Sequence, residues 1–199
     1  MEDNLIKRAK SGEVQAFEEL VAQYEKTIYN IAYRYFANEH DAVDAMQEVF
    51  IKIYRSISGF QEQSSFRTWI YRITVNTCLD LLKKNRRIQV VSIEEEKNSG
   101  LEQQLADSSG EPEQALEQKE LRKSVEEAVM SLRPEYRGAV ALRFAAGLTY
   151  AEIAEVLGID EGTVKSRISR GRRKVCEILR ASGNLSAKYS SNKTEGRML

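Results

Sequence analysis

Thr149-Tyr150-Ala151-Glu152-Ile153-Ala154-Glu155-Val156-Leu157-Gly158-Ile159-Asp160-Glu161-Gly162-Thr163-Val164-Lys165-Ser166-Arg167-Ile168-Ser169-Arg170-Gly171-Arg172-Arg173-Lys174 reads as two helices meeting at a glycine, a helix-turn-helix. Thr149 is placed to cap the first helix, and Ile153, Val156 and Leu157 fall on one of its faces. Ala154 is small enough for a second helix to cross closely. Gly158 ends the first helix, because glycine adopts the left-handed conformation of a sharp turn without strain. In the second helix Val164 and Ile168 face inward, four residues apart. The remaining face is polar and basic, which suits phosphate contact and hydrogen bonding to base edges in a major groove. Between Glu161 and Arg180 seven Lys or Arg stand against Glu161 and Glu177. Solvated helix faces ordinarily mix the two signs more evenly.

Outward from this motif the chain reads as all-α. Only 2 prolines and 11 glycines in 199 residues leave long helices uninterrupted. From Val14 to Phe36 the set Phe17, Leu20, Val21, Tyr24, Ile28, Ile31, Ala32 and Tyr35 steps by three and four, which predicts one long amphipathic helix. A second is expected from about Glu39, carrying Ala45, Val49, Phe50, Ile53 and Tyr54 to a break at Ser58-Gly59. Its first turns hold Glu39, Asp41, Asp44 and Glu48 with no Lys or Arg between. A third follows Ser64-Ser65, which are good N-caps, and runs through Phe66, Trp69, Ile70, Ile73, Leu79 and Leu82 to about Arg87. Residues 88 to 120 hold nine acidic residues against Lys97 and Lys119 and read as an acidic linker. Helices resume from Pro112 or Glu113 to Ser131, and Pro134 suits the first position of the next. Beyond Arg180 the periodicity is lost, so a disordered tail is expected.

The third helix carries a second basic block. Arg67, Arg72, Lys83, Lys84, Arg86 and Arg87 stand against Asp80, with Phe66, Trp69 and Tyr71 at its start. Aromatics among cations can hold unstacked bases, each stack being worth about 1–3 kcal/mol. Asn76 and Asp80, one turn apart, are candidates for reading base edges. The core explanation competes for Trp69, and the helix C-terminus accounts for part of the cationic pattern.

Other chemistries find little support. Thirty basic and thirty acidic residues cancel overall, but the charge is segregated along the chain. The N-terminus Met1-Glu2-Asp3-Asn4 is not a basic and then apolar leader, so export and membrane spanning are not expected and a cytoplasmic location is. Cys78 and Cys176 are expected to be buried small hydrophobes. With His40 the single histidine, no zinc spacing exists. No phosphate-cradling glycine loop, Ser/His/Asp set or separated carboxylate pair is present, so neither catalysis nor a cofactor is expected.

Taken in order, the motifs resemble a known family. Asp41-Ala42-Val43-Asp44-Ala45-Met46-Gln47-Glu48-Val49-Phe50 is similar to the polymerase-clamp-binding helix of bacterial RNA polymerase sigma factors of the extracytoplasmic function (ECF) group. Phe66-Arg67-Thr68-Trp69-Ile70-Tyr71-Arg72-Ile73, with Asn76 and Asp80, resembles that family's promoter-melting segment. Leu132-Arg133-Pro134-Glu135-Tyr136-Arg137, Tyr150-Ala151-Glu152-Ile153-Ala154 and Gly162-Thr163-Val164-Lys165-Ser166-Arg167 resemble its upstream-element reader. The set covers about residues 10 to 180 in the family's order.

The resemblance implies two small helical domains: sigma domain two over 1–87, the acidic linker over 88–120, and sigma domain four with its helix-turn-helix over 121–182, before a tail at 183–199. Asp41, Asp44, Gln47, Glu48, Phe50 and Ile51 would bind the clamp helices of the largest subunit of core polymerase, whose flap region is a second contact. Phe60, Phe66, Arg67, Thr68, Trp69, Tyr71, Arg72, Asn76, Asp80, Lys83, Lys84, Arg86 and Arg87 would hold the minus-ten element as it opens, with one base flipped out of the stack. Thr149, Tyr150, Gly162, Thr163, Lys165, Ser166, Arg167, Ser169, Arg170, Arg173 and Lys174 would read the minus-thirty-five element as duplex. It further implies an anti-sigma partner, no direct membrane insertion, no metal, and a monomer when free. The 33 residues from Ile88 to Glu120 reach roughly 110 Å at ~3.3 Å each, against about 70 Å for two turns of duplex, so both domains can contact one DNA molecule well apart. A stand-alone helix-turn-helix regulator and a helical interaction module are the alternatives at this point.

Overall fold

The computed structural model describes residues 2–91 and 112–182. Among them the chain forms α1 (Glu2–Lys10), α2 (Val14–Ala22), α3 (Glu25–Phe36), α4 (Glu39–Ser56), a 3-10 turn (Ile57–Gly59), α5 (Phe66–Val91), α6 (Pro112–Met130), α7 (Pro134–Phe144), α8 (Tyr150–Leu157) and α9 (Glu161–Ala181). The described residues contain no strand, and none of their helices is long and apolar enough to cross a membrane.

Local chemistry sets the helix ends. Ala37 takes a left-handed φ of 57° and ends α3. Asn38 then caps α4, its side chain accepting from the Asp41 amide at 3.1 Å. Ser65 caps α5 in the same way, its Oγ accepting from the Thr68 amide at 3.1 Å. Pro134 occupies the first turn of α7, where its missing N–H is no loss.

One expectation needs correction. The single helix over Val14–Phe36 is interrupted between Ala22 and Glu25, where the Tyr24 amide donates to the Val21 carbonyl at 2.9 Å. Tightening one turn keeps the apolar residues on the same side, so the three-and-four spacing runs through the break undisturbed. Tyr24 is buried there against the rings of Phe66 and Tyr71, and its hydroxyl donates to Glu2 of α1. Helix α5 continues to Val91, a few residues past the expected end near Arg87, and α6 starts at Pro112, where helix was expected to resume. The rest of the expected 88–120 linker and the tail from Gly183 lie outside the described residues.

Helices α3, α4 and α5 pack on one another and enclose Ile28, Ile31, Val49, Ile53, Ile70 and Val75. Burying each such side chain contributes about 2 kcal/mol. Helices α6, α7 and α9 enclose a smaller core of Ala128, Val129, Leu132, Val140, Val175 and Leu179. The two halves also meet. Helix α3 lies on α7 and α6, and α5 lies on α8. Ala139, Leu142, Leu148, Ile153, Val164 and Ile168 thereby join the N-terminal core.

The contact is close at one point. A side chain at Gly138 on α7 would overlap the Tyr35 hydroxyl oxygen of α3 and meet its Cζ at 3.3 Å. Next to it, Arg137 donates to the Tyr35 carbonyl at 2.6 Å, and also to the carbonyls of Met130 and Leu132.

Candidate nucleic-acid interface

The helix-turn-helix is built by caps at both of its helices. Thr149 Oγ1 accepts from the Glu152 amide at 3.3 Å, while the Glu152 carboxylate accepts from the Thr149 amide and hydroxyl, each at 2.8 Å. This reciprocal capping box starts α8. The Thr149 amide holds the Glu152 carboxyl below the usual carboxylate range, with the Thr149 hydroxyl and Arg67 adding to it against a desolvation penalty. Gly158 ends α8 with φ 64°. Asp160 then caps α9, accepting from Thr163 Oγ1 at 2.6 Å and the Thr163 amide at 2.8 Å, and these bonds lower its pKa.

Helix α9 is anchored along one side by Val164, Ile168, Gly171, Val175 and Leu179. Gly171 permits the crossing with α7, since a Cβ there would lie 2.9 Å from Val140 Cγ2. On the other side Gly162, Lys165, Ser169, Arg170, Arg172, Arg173 and Lys174 are exposed. Arg173 and Lys174 share one carboxylate, Glu177, at 3.7 and 3.5 Å. Thr163, Ser166 and Arg167 are half-buried. Thr163 is spent partly on the cap, Ser166 donates to the Thr163 carbonyl at 2.9 Å, and the Arg167 charge acts on the buried Tyr35 hydroxyl. Thr149 and Tyr150 are exposed at the start of α8, and Arg143 sits 5.2 Å over the Tyr150 ring while donating to the Leu148 carbonyl.

The second basic block is less open than expected. Phe60, Phe66, Thr68 and Tyr71 are 5%, 4%, 1% and 4% exposed, so as the chain stands no base reaches them. Phe66 and Tyr71 pack against Tyr24 at the start of α3, and Phe60, just past the 3-10 turn, packs against Phe66. Phe60 and Phe66 instead form a cluster with Trp69 at 5.0 and 5.5 Å between ring centroids. Trp69 is half-buried and keeps part of its ring outward. Asn76, Asp80, Lys83 and Lys84 are exposed, with Lys83 3.6 Å from Asp80. Arg86 and Arg87 lie in α5, their side chains outside the described residues.

Arg67 and Arg72 are engaged across the molecule. Arg67 pairs with Glu152, and Arg72 donates to the Glu155 carbonyl at 3.1 Å with its carboxylate 3.9 Å away. Sequence reasoning assigned no role to Glu152 or Glu155 in this contact, and no spacing signals a pairing across more than eighty residues.

Helix α4 presents a third surface. Asp41, Val43, Asp44, Gln47 and Ile51 are exposed, with Glu48 and Phe50 half-buried beside them. Ile51 and Val43 are 44% and 36% exposed, an apolar strip beside carboxylates. His40 lies 3.1 Å from Asp44, and Lys52 lies 3.9 Å from Glu48. Cys176 is exposed, contrary to expectation, because it falls beside the anchored side of α9; Cys78 is buried. Among the described residues no group of three or more His, Cys, Asp or Glu is placed to hold a metal ion.

These surfaces sit in regions with clear relatives. Residues 20–88 match Sigma-70 region 2, and residues 122–175 match Sigma-70, region 4. The chain is 35% identical to the ECF RNA polymerase sigma factor SigW of Bacillus subtilis over 88% of its own length and 95% of that protein. It is 34% identical to the ECF RNA polymerase sigma-E factor of Escherichia coli, over 86% of this chain and 90% of that one. Against the ECF sigma factor SigE of Mycolicibacterium smegmatis it is 37% identical over 88% of its length but spans 63% of the relative. The fold is shared with the sigma factor RpoE of Bartonella quintana, solved in complex with the anti-sigma factor NepR (TM-score 0.64, 22% identity, 82% of this chain and 96% of that chain). It is shared equally with CnrH, solved with the cytosolic domain of CnrY (TM-score 0.63, 24% identity, 89% and 96%). With region 2 ahead of region 4, the stand-alone regulator is set aside.

Proposed function

The chain belongs to the ECF group of sigma-70 factors, and from that membership we propose how its surfaces divide the work of promoter-directed transcription initiation. The acidic and apolar strip of α4, with Asp41, Asp44, Gln47, Glu48, Phe50 and Ile51, binds the clamp helices of core RNA polymerase. The exposed face of α9, led by Lys165, Ser169, Arg170, Arg173 and Lys174, reads the minus-thirty-five element as duplex. Helix α5 acts on the minus-ten element through Arg67, Trp69, Arg72, Asn76, Asp80, Lys83 and Lys84, with Arg86 and Arg87 continuing the same helix. The buried Phe60, Phe66, Thr68 and Tyr71 hold this surface in position.

The observation that carries the reading is the segregation of charge between α4 and α9. The exposed face of α9 carries Lys165, Arg170, Arg172, Arg173, Lys174 and Arg180 against Glu161 and Glu177, whereas that of α4 joins carboxylates to apolar side chains. A cationic face matches the phosphate backbone and an acidic, apolar one matches a basic protein surface. The protein performs no bond chemistry of its own in this role. It works with core polymerase in the cytoplasm, under an anti-sigma partner and with the flap as a second polymerase contact.

Permanganate probing of a promoter fragment tests the assignment. Thymines at the minus-ten element are expected to become reactive only when core polymerase and this protein are both present, and to stay protected with Trp69→Ala. Unchanged reactivity in that variant would remove α5 from the melting step.

A further inference from the structure

We propose that Lys10, the last residue of α1, is a positioning residue for minus-ten recognition: it holds the 60–65 loop in the one shape that sets base preference beside the start of α5. The inference rests on the assignment of α5 to the minus-ten element and deepens it, since that assignment places no promoter contact in α1.

Three observations converge on Lys10. The first is the commitment of its ammonium to a single loop. Lys10 Nζ donates to the Phe60 carbonyl at 2.7 Å, lies 3.6 Å from the Glu62 carboxylate and sits 5.9 Å over the Phe60 ring. A surface lysine ordinarily keeps its head in water, whereas the Lys10 side chain is 28% exposed. The second is the backbone it holds. Glu62 has φ 58°, a left-handed conformation that residues with a side chain seldom adopt. Such a conformation persists where its surroundings fix it, and Lys10 grips both the Phe60 carbonyl just before it and the Glu62 carboxylate itself. Gln61, Glu62 and Gln63 stand exposed on this turn, with Gln63 Nε2 donating to Gln61 Oε1 at 3.0 Å. Primary amides pair with base edges, so the shape of the turn decides which edge they meet.

The third observation is what the loop leans on. The Phe60 ring packs on Trp69 at 5.0 Å between centroids, and Trp69 keeps part of its ring outward. Displacing Phe60 therefore displaces the support of that ring. The other end of α1 serves the same cluster, because Glu2 accepts from the Tyr24 hydroxyl and the Tyr24 ring packs on Phe66 and Tyr71. Helix α1 thus braces both flanks of the aromatic group, Phe60 through Lys10 and Phe66 through Tyr24. With its ammonium turned to the loop, Lys10 acts on DNA through loop shape. A phosphate contact would instead weaken binding to all sequences alike.

The experiment compares holoenzymes assembled from core polymerase and wild-type protein, Lys10→Met or Lys10→Arg, on promoter fragments that differ by single bases. Methionine keeps an apolar stem and loses the ammonium, whereas arginine keeps a cation able to donate to the same carbonyl. Lys10→Met is expected to lower discrimination at one minus-ten base step at least fivefold and to leave discrimination at the minus-thirty-five element unchanged. Trp69 is the only tryptophan in the chain, and its emission in the free protein is expected to move to longer wavelength in Lys10→Met. Lys10→Arg is expected to retain the wild-type values of all three. Glu62→Gln, which leaves the core untouched, is expected to lower discrimination at the same step at least twofold, and it decides the matter should Lys10→Met lose helicity. Unchanged discrimination, unchanged Trp69 emission, or an equal loss at every position of both elements would overturn the role of Lys10. Wild-type holoenzyme indifferent to every minus-ten substitution would instead overturn the assignment of α5 on which that role rests.

Discussion

The Arg137 guanidinium on α7 donates to the backbone carbonyl of Tyr35 on α3 at 2.6 Å, tying together two residues 102 positions apart. The same guanidinium donates to the carbonyls of Met130 and Leu132, which close the end of α6. One side chain therefore caps a helix of the C-terminal half and fastens it to the N-terminal half. Arg137→Ala leaves these carbonyls without a charged donor and is expected to cost about 2 kcal/mol. Urea unfolding followed by helicity measures it, with the midpoint lowered and the slope unchanged. An unshifted midpoint would show that the carbonyls find water instead.

The capping box makes acid stability depend on Glu152. Its carboxyl titrates below the ordinary 4.5, mainly because the Thr149 amide bonds the ionised form. A depressed folded-state pKa adds stability that is full above the unfolded value and is lost as pH falls through the folded value. The loss thus falls in the window below about pH 4.5. Glu152→Gln is expected to flatten that part of the stability profile. Thr149→Ala is expected to cost about 1 kcal/mol at neutral pH. Parallel pH profiles for wild type and Glu152→Gln would refute the assignment.

The two thiols separate cleanly by burial. Cys176 is exposed and Cys78 is buried, the latter with its thiol pushed up to about 12 by desolvation. A thiol-reactive chromophore is expected to titrate one cysteine in the native protein and two in denaturant. Two fast thiols under native conditions would mean that the core around Cys78 opens readily.

The sequence made much of this architecture legible because its signals are local. Thr149, Gly158, Ser65 and Pro134 mark helix ends through chemistry that needs only a few neighbours, and each stands at a helix end. The break at Tyr24 stayed hidden because a tightened turn preserves the apolar spacing. Glycines such as Gly138 carry no sign of what they face, so the approach of Tyr35 was invisible. Periodicity also leaves open which aromatic on a helix turns inward, which is why Phe66 and Tyr71 were expected at the DNA while α5 buries them. Cys176 erred oppositely, since one step around α9 separates it from the buried Val175.

The surface of α4 gives a direct test of partner binding. Asp44 and Gln47 are exposed and hold up no buried contact, so their substitution leaves the fold intact. Asp44→Arg and Gln47→Ala are each expected to weaken binding to core polymerase tenfold or more, with helicity unchanged. Equal affinity in a titration with labelled core enzyme would move the polymerase contact off α4.

As a sigma factor, this protein is expected to confer promoter choice on core polymerase. Run-off transcription from a library of promoter fragments, with core enzyme alone and with the protein added, measures that choice. Specific transcripts are expected only on addition, with their start sites sharing two sequence elements about two helical turns apart. No transcripts from folded protein that still binds DNA by itself would contradict it.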